Sequence, residues 1–312
     1  MTGTWTPASI PDLSGQIAVV TGANSGLGFE ATRLLAANSA EVVMGVRDVD
    51  RGEEAAATLR EEGHQGLHVR QLDLGALESV RGFAETVREE FEPLNLLFNN
   101  AGIMAIPREE TADGFETQFG VNHLGHFALT GHLLPALLDT PGEARIVTQS
   151  SGMHERGTID FEDLQSEAEY DRWGAYAQSK LANVLFAREL QRRLGAAGIE
   201  DCTSVAVHPG YADTSLQRRG PEKDGSTLRL WMMKAANALV AQSAQAGAWP
   251  MLYAATAPEI EGGEYVGPTG LLNLRGPPGI QQPSELARDD TLAERLWEVS
   301  SELTGVTFEA LE

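Results

Sequence analysis

One cysteine, Cys202, stands in a chain of 312 residues. A single thiol excludes any disulfide within the chain, so stability must come from packing, as suits a reducing interior. Lysine is scarce as well: it occurs only at Lys180, Lys223 and Lys234, and the formal net charge is −22. A surface this acidic repels nucleic acid and anionic lipid, which sets both aside as partners. The acidic residues are spread along the chain rather than gathered in a tail. Their simplest role is solubility, and salt would screen their mutual repulsion. No apolar run is long and continuous enough to span a bilayer. The opening stretch, MTGTWTPASIPDL, has neither a basic start nor an apolar core, so no signal peptide is expected and the protein reads as cytoplasmic. No repeat, Gly/Ser linker or low-complexity segment divides the chain, which reads as a single domain over residues 1–312.

What is present is alternation. Hydrophobic residues make up 42% of the chain, enough for a sizeable core. Apolar strand candidates are Ile17–Thr21, Glu41–Val46, Leu67–Leu72, Asn95–Phe98, Arg145–Gln149 and Thr203–Val207. Between them, Phe29–Ala37, Arg51–Glu62, Leu77–Phe91, Gln118–Leu138 and Ala175–Leu194 carry apolar residues at the three-to-four spacing of a helix. Short strands separated by helices predict βαβ units: an α/β, Rossmann-type doubly wound parallel sheet with helices on both faces. The polar stretch Gly157–Trp173 reads as an insertion before a helix. Residues 213–233 lack a strong period, hold Gly220-Pro221 and Gly225, and end in an apolar turn. They read either as a substrate flap with a greasy face or as an ordinary surface loop.

Ligands of such a fold sit beyond the carboxyl ends of the strands. The first strand runs into a turn with Gly22, Gly26 and Gly28 and then into a helix. Three glycines cost backbone entropy. They make sense if a phosphate must approach the backbone at the helix N-terminus, where amides are unpaired and the dipole is positive. The later strand ends carry Arg47, then Asp73, then Asn99-Asn100-Ala101-Gly102, then Ser150-Ser151, then His208-Pro209-Gly210. Each has a bland account as a cap or turn. Together on one sheet edge they point to a site. Tyr176 and Lys180, four apart, share a helix face. An ammonium beside a phenol favours phenolate, so such a pair is a sensible acid/base device.

These residues resemble the short-chain dehydrogenase/reductase family. The resemblance rests on Thr21-Gly22-Ala23-Asn24-Ser25-Gly26-Leu27-Gly28, Asn99-Asn100-Ala101-Gly102, Asn122, Ser151, Tyr176-x-x-x-Lys180 and His208-Pro209-Gly210, in the family's order over roughly residues 15–215. Asn24-Ser25, Val46-Arg47-Asp48, the insertion before Tyr176 and Ser179-Lys180-Leu181-Ala182-Asn183 look similar to its retinol-dehydrogenase-like branch. The resemblance implies an oxidoreductase that interconverts an alcohol and a ketone or aldehyde with a nicotinamide cofactor.

It also implies roles. Tyr176 would exchange a proton with the substrate oxygen, Ser151 would hydrogen-bond that oxygen, and Lys180 would hold the nicotinamide ribose and lower the tyrosine pKa. Asn122 would kink its helix and hold a water of the proton relay. Gly152-Met153-His154 departs from the family's common form after the serine, and Ser150 remains an alternative to Ser151. The cofactor would lie on Gly22, Asn24, Ser25, Gly26, Leu27 and Gly28. Asp73 and Leu74 would meet the adenine, and Asn100, Ala101 and Gly102 the ribose side. Pro209, Gly210 and Thr214 would lie toward the nicotinamide.

Cofactor choice turns on Arg47, which stands where an acidic residue would select the ribose hydroxyl of NAD. A guanidinium suits a 2′-phosphate, so NADP is expected ahead of NAD, unless Arg47 pairs with Asp48 or Asp50 in solvent. Leu228, Leu230, Trp231 and Met232, with Met104 and Trp173, suggest a hydrophobic alcohol or carbonyl substrate. No metal is expected, and a homo-oligomer is left open. The alternatives are an NAD-preferring alcohol dehydrogenase and a non-catalytic NADP-binding regulator of the same fold. A sugar-nucleotide epimerase would need a larger carboxyl-terminal domain.

Overall fold

A computed structural model describes residues 4–210 and 243–311. The expected flap, with Thr214, Leu228, Leu230, Trp231 and Met232, lies outside the described residues. Eight strands form one sheet in the order β3-β2-β1-β4-β5-β6-β7-β8. The first six are β1 (Ile17–Thr21), β2 (Glu41–Val46), β3 (Leu67–Gln71), β4 (Leu96–Asn99), β5 (Ala144–Gln149) and β6 (Cys202–Val207). All lie within a residue of the predicted spans. The last two, β7 (Tyr265–Pro268) and β8 (Pro278–Gln281), were not foreseen. Each is four residues long and holds Gly and Pro, so each reads as turn by composition.

The sheet is the expected doubly wound one, mostly parallel, with one edge strand added. Seven strands are parallel, but β8 returns antiparallel to β7, pairing Tyr265 with Gln281 and Pro268 with Pro278. The connection between them is short enough for a hairpin and too short for a crossover helix.

Both faces are covered, and the strands explain why. Along β1, Ala18 and Val20 enter one core cluster with Leu35 of α1 (Gly26–Ala37), Leu59 of α2 (Val49–Glu61) and Met251 of α7 (Ala244–Thr256). Val19, between them, points the other way. It joins Phe83 of α3 (Leu77–Glu90), Phe127 of α5 (Gly125–Leu138), Phe186 of α6 (Arg172–Ala196) and Trp297 of α8 (Asp290–Thr304). Period-two side chains that are apolar on both faces are what a buried parallel strand requires.

The predicted helix Gln118–Leu138 is interrupted. A short turn α4 (Thr117–Phe119) passes into a π-turn at Gly120–Leu124 before α5 begins. Asn122 stands in the middle of that π-turn, fully buried. The chain order reverses between β1 and β4, so the sheet opens a crevice at the carboxyl ends of those two strands.

Candidate active site

The turn after β1 answers why glycine is needed there. Gly22 (φ +66°) and Gly26 (φ +58°) adopt the left-handed region that side chains avoid. Gly28 has ordinary backbone angles, but a Cβ on it would lie 2.5 Å from the Gly22 carbonyl and 2.6 Å from Asn100 Nδ2. Two glycines therefore shape the turn and the third lets α1 close against β4. The N-cap of α1, Ser25, makes no side-chain capping bond, and no acidic residue stands in the first turn. The amides there are left to an anion.

A cleft opens at this point. It is lined by Gly22, Asn24, Ser25, Gly26 and Leu27 from the first turn, and by Arg47 from the end of β2. Asp73 and Leu74 line it after β3, and Asn100, Ala101 and Gly102 after β4. Of the sequence-predicted cofactor residues, Gly28 lies beneath the turn instead, and Tyr176, Lys180, Pro209 and Gly210 do not line this cleft. Thr21 ties the two central strand ends together: its Oγ1 accepts the amides of Asn100 and Ala101, each at 2.9 Å, and its carbonyl accepts Asn100 Nδ2 at 2.7 Å. Asp73 also shapes its own turn, accepting the Gly75 amide at 2.9 Å.

Sequence reasoning missed Arg51, which lines the same cleft. Asp48 caps α2 by accepting the Arg51 amide at 3.1 Å. Side chains of a first helical turn lean back toward its N-terminus, so Arg51 is directed at the end of β2. Its spacing of four from Arg47 was the available signal. Neither arginine side chain is ion-paired among the described residues, and Arg47 does not pair with Asp48 or Asp50. In a chain of charge −22, two unpaired guanidiniums at one rim mark a place for negative charge.

The expected catalytic residues meet beside this cleft. Lys180 is 2% exposed, donates from Nζ to the Gln149 carbonyl at 3.1 Å, and lies 5.8 Å from the Tyr176 ring centroid. A Cβ on Gly102 would stand 3.1 Å from Asn122 Oδ1 and 3.5 Å from Lys180 Nζ, so these three positions converge. Asn122 accepts the Ile103 amide at 2.8 Å and donates to the Ile103 carbonyl at 2.9 Å and to Ser179 Oγ at 2.9 Å. It locks the loop after β4 to both helices.

The two serines separate. Ser150 Oγ is buried and donates to the Lys180 carbonyl at 2.7 Å, holding α6 against β5. Ser151 is half-buried, and its hydroxyl is not tied to the backbone of α6. Ser151 Oγ also accepts the Met153 amide at 3.2 Å. That leaves the hydroxyl hydrogen to be donated elsewhere.

One expectation is not met in the protein alone. Burial pushes Tyr176 up to about 12, against a downward pull from Ser151. The same burial brings Lys180 down to about 7. At neutral pH the amine is then only partly protonated and attracts a phenolate weakly. Pro209 and Gly210 follow β6, where Gly210 has φ +65° and a Cβ would meet the Leu274 carbonyl at 2.4 Å. No group of His, Cys, Asp and Glu side chains that could hold a metal is found among the described residues.

Known proteins match this architecture. The short chain dehydrogenase family profile matches residues 16–225. Mouse polyprenol dehydrogenase is 42% identical over 313 residues, covering 97% of this chain and 88% of that protein. Human retinol dehydrogenase 12 is 43% identical over 300 residues, covering 95% and 89%. A crystal structure of a protein from Mycobacterium paratuberculosis superposes with a TM-score of 0.81 at 42% identity, covering 98% of this chain and 99% of that one. The chain belongs to the short-chain dehydrogenase family, in its retinol-dehydrogenase-like branch: an oxidoreductase of alcohol and carbonyl groups that uses a nicotinamide cofactor.

Proposed function

We propose that this chain reduces a ketone or aldehyde, or oxidises the corresponding alcohol, on a hydrophobic small molecule with NADP as the preferred cofactor. The observation that carries the reading is the buried Tyr176 with the buried Lys180 5.8 Å from its ring, where Lys180 Nζ stands beside Gly102 of the cleft. The residues present fit the cofactor: open amides at α1, a glycine cradle, and the Arg47–Arg51 pair. The nicotinamide, when bound, supplies or takes the hydride. The rest falls to side chains. In reduction Tyr176 Oη gives its proton to the substrate oxygen, and in oxidation it takes that proton back. Ser151 Oγ donates a hydrogen bond to the same oxygen. Lys180 holds the ribose side of the site, and Asn122 keeps the loop after β4 in register with α6.

The named activities of the polyprenol and retinol dehydrogenases support an apolar substrate. Trp173 adds a local reason. It is 45% exposed, one turn before Tyr176, with its ring edge-on to the tyrosine at 6.4 Å. An indole beside the reacting oxygen offers an apolar wall. A screen of aldehydes, ketones and alcohols with both cofactors, followed at the nicotinamide absorbance, tests the reading. Tight NADP binding with no turnover of any of them would instead favour a regulator.

Cofactor choice has its own test. Arg47→Ala is expected to weaken NADP about ten- to a hundred-fold, the value of one charge-assisted hydrogen bond, and to change NAD little. Arg51→Ala should act in the same direction, and the double variant should lose the preference. The selectivity should shrink at high salt, because Arg47 is exposed. Titration of both cofactors decides it: equal losses for NAD and NADP would remove the 2′-phosphate from the argument.

A further inference from the structure

The segment after Ser151 is the part of the site that the family pattern does not explain. Gly152–Arg156 forms a short 3₁₀ turn. His154, 1% exposed, folds back within it. Its amide donates to the Ser151 carbonyl at 3.0 Å, and its ring Nδ1 lies 2.8 Å from the same oxygen. A carbonyl only accepts, so Nδ1 carries the hydrogen. On the far side of the ring, Nε2 accepts the amide of Ser284 at 3.2 Å. The tautomer is thus set by both partners, and the ring is clamped between Ser151 and a residue 130 positions later.

What backs this clamp comes from the carboxyl-terminal hairpin. The His154 ring packs on Tyr265 of β7 with centroids 4.8 Å apart, and the Tyr265 hydroxyl is 3.2 Å from Nδ1. His208 also stacks on Tyr265, at 5.1 Å and 12°. Its Nδ1 accepts the Gly210 amide at 3.3 Å, so Nε2 donates to Gln281 Oε1 at 2.9 Å. Gln281, across from Tyr265 on β8, donates on to the Pro268 carbonyl at 2.7 Å. Gly267 leaves the room this needs, since a Cβ there would come within 1.9 Å of His208 Nε2. Tyr265, Gln281 and Ser284 all lie beyond the residues that the family profile matches.

We propose that His154 is a positioning residue for Ser151, and that Tyr265 of β7 and Ser284, just after β8, hold it there. It does not touch the reacting atoms. Its ring Nδ1–H fixes the Ser151 peptide, and the turn it closes presents the Met153 amide to Ser151 Oγ, so the hydroxyl hydrogen is directed outward. The inference rests on Ser151 being the serine that binds the substrate oxygen. The role gives the carboxyl-terminal hairpin a function: β7 supplies Tyr265, and the chain leaving β8 supplies Ser284, to brace the far side of the serine turn.

A double-mutant cycle tests it, read as kcat, KM and cofactor affinity for wild type, Ser151→Ala, His154→Phe and both together. Ser151→Ala should lower kcat about a hundred-fold, as loss of one donor to the substrate oxygen does. His154→Phe keeps a ring on Tyr265 and should lower kcat about ten-fold, short of the roughly hundred-fold that a full 1 Å misplacement can cost, with cofactor affinity unchanged. Combined, they should be no slower than Ser151→Ala alone, because His154 acts through that hydroxyl. His154→Asn keeps an N–H where Nδ1 stands and should recover most of the loss. If the phenylalanine variant fails to fold, His154→Gln replaces it, since its amide reaches past the Ser151 carbonyl. Multiplicative losses in the double variant, or a fully active His154→Phe beside a crippled Ser151→Ala, would overturn the positioning role. A fully active Ser151→Ala would instead overturn the assignment of the serine, and this inference with it.

Discussion

Tyr176→Phe should bind cofactor as the unaltered chain does and lose about 10²- to 10⁴-fold in kcat, the range for removal of a general acid or base. The substitution takes away one oxygen and leaves the ring that fills the space beside Trp173. The fold should therefore be kept, and the loss should fall on kcat rather than on cofactor affinity. Direction matters too. With the hydroxyl pushed up to about 12 in the protein alone, Tyr176 is protonated at neutral pH and ready to act as an acid. Reduction should then vary little around pH 7. Oxidation requires the phenolate, so its kcat/KM should rise with pH through the alkaline range, and Tyr176→Phe should abolish that rise. Steady-state rates in both directions from pH 6 to 10 check this. Wild-type turnover by the phenylalanine variant on any good substrate would remove Tyr176 from the chemistry.

Mild acid should unfold this protein well before its carboxylates titrate. Four histidines are buried without charge, His154 among them, and the shift is large for three. Burial brings His123 down to about 3, and His126 and His208 each to about 4. His126 is held between Thr21 Oγ1 at 2.9 Å and the Asn122 carbonyl at 3.0 Å. His123 faces Ser300 Oγ of α8 at 2.9 Å. Unfolded, each returns to about 6.5. The unfolded chain thus holds more protons between these values, and stability falls as pH drops through 6.5 until the folded pKa is reached. The loss tends to about 1.4 kcal/mol per pH unit for each histidine, or on the order of 2 kcal/mol each by pH 5. Three such losses rival a whole domain's stability of about 5–15 kcal/mol. Denaturant melts at pH 7.5, 6 and 5 would measure the slope. A midpoint unchanged across that window would mean that these rings titrate freely in the folded state. His126→Asn, which keeps a donor toward Asn122, should cost stability at pH 7.5 but remove one proton from the slope.

Much of the architecture could be read in one dimension. The strands β1 to β6 were legible because a strand buried on both faces reads as a near-continuous apolar run, as residues 17–20 and 42–46 do. Gly22 and Gly26 were legible because few other residues take their backbone angles. The strands β7 and β8 were not, since Gly267, Pro268, Pro278 and Gly279 carry turn signals. They are strands only because β6 and the His208 ring lie alongside them. The extent of Gln118–Leu138 was read correctly as apolar and helical, but the π-turn at Gly120–Leu124 was not resolved from an α-helix by period alone.

The sequence by itself determined the fold class, the family and the Tyr176–Lys180 spacing. All three are local properties: periodic burial, backbone angles open to glycine, and two side chains one helical turn apart. Only the tertiary structure decided that Ser150 is tied to the Lys180 carbonyl, that Arg51 joins Arg47 at the cleft, and that the His154 ring meets the Ser151 carbonyl. Each of these depends on groups far apart in sequence. Ser150 is engaged because its hydroxyl meets a carbonyl 30 residues on, and His154 because an amide 130 residues later reaches its ring. Residue type states what a group can bond to. Its actual partner depends on where packing places the other group, and no spacing along the chain encodes that distance.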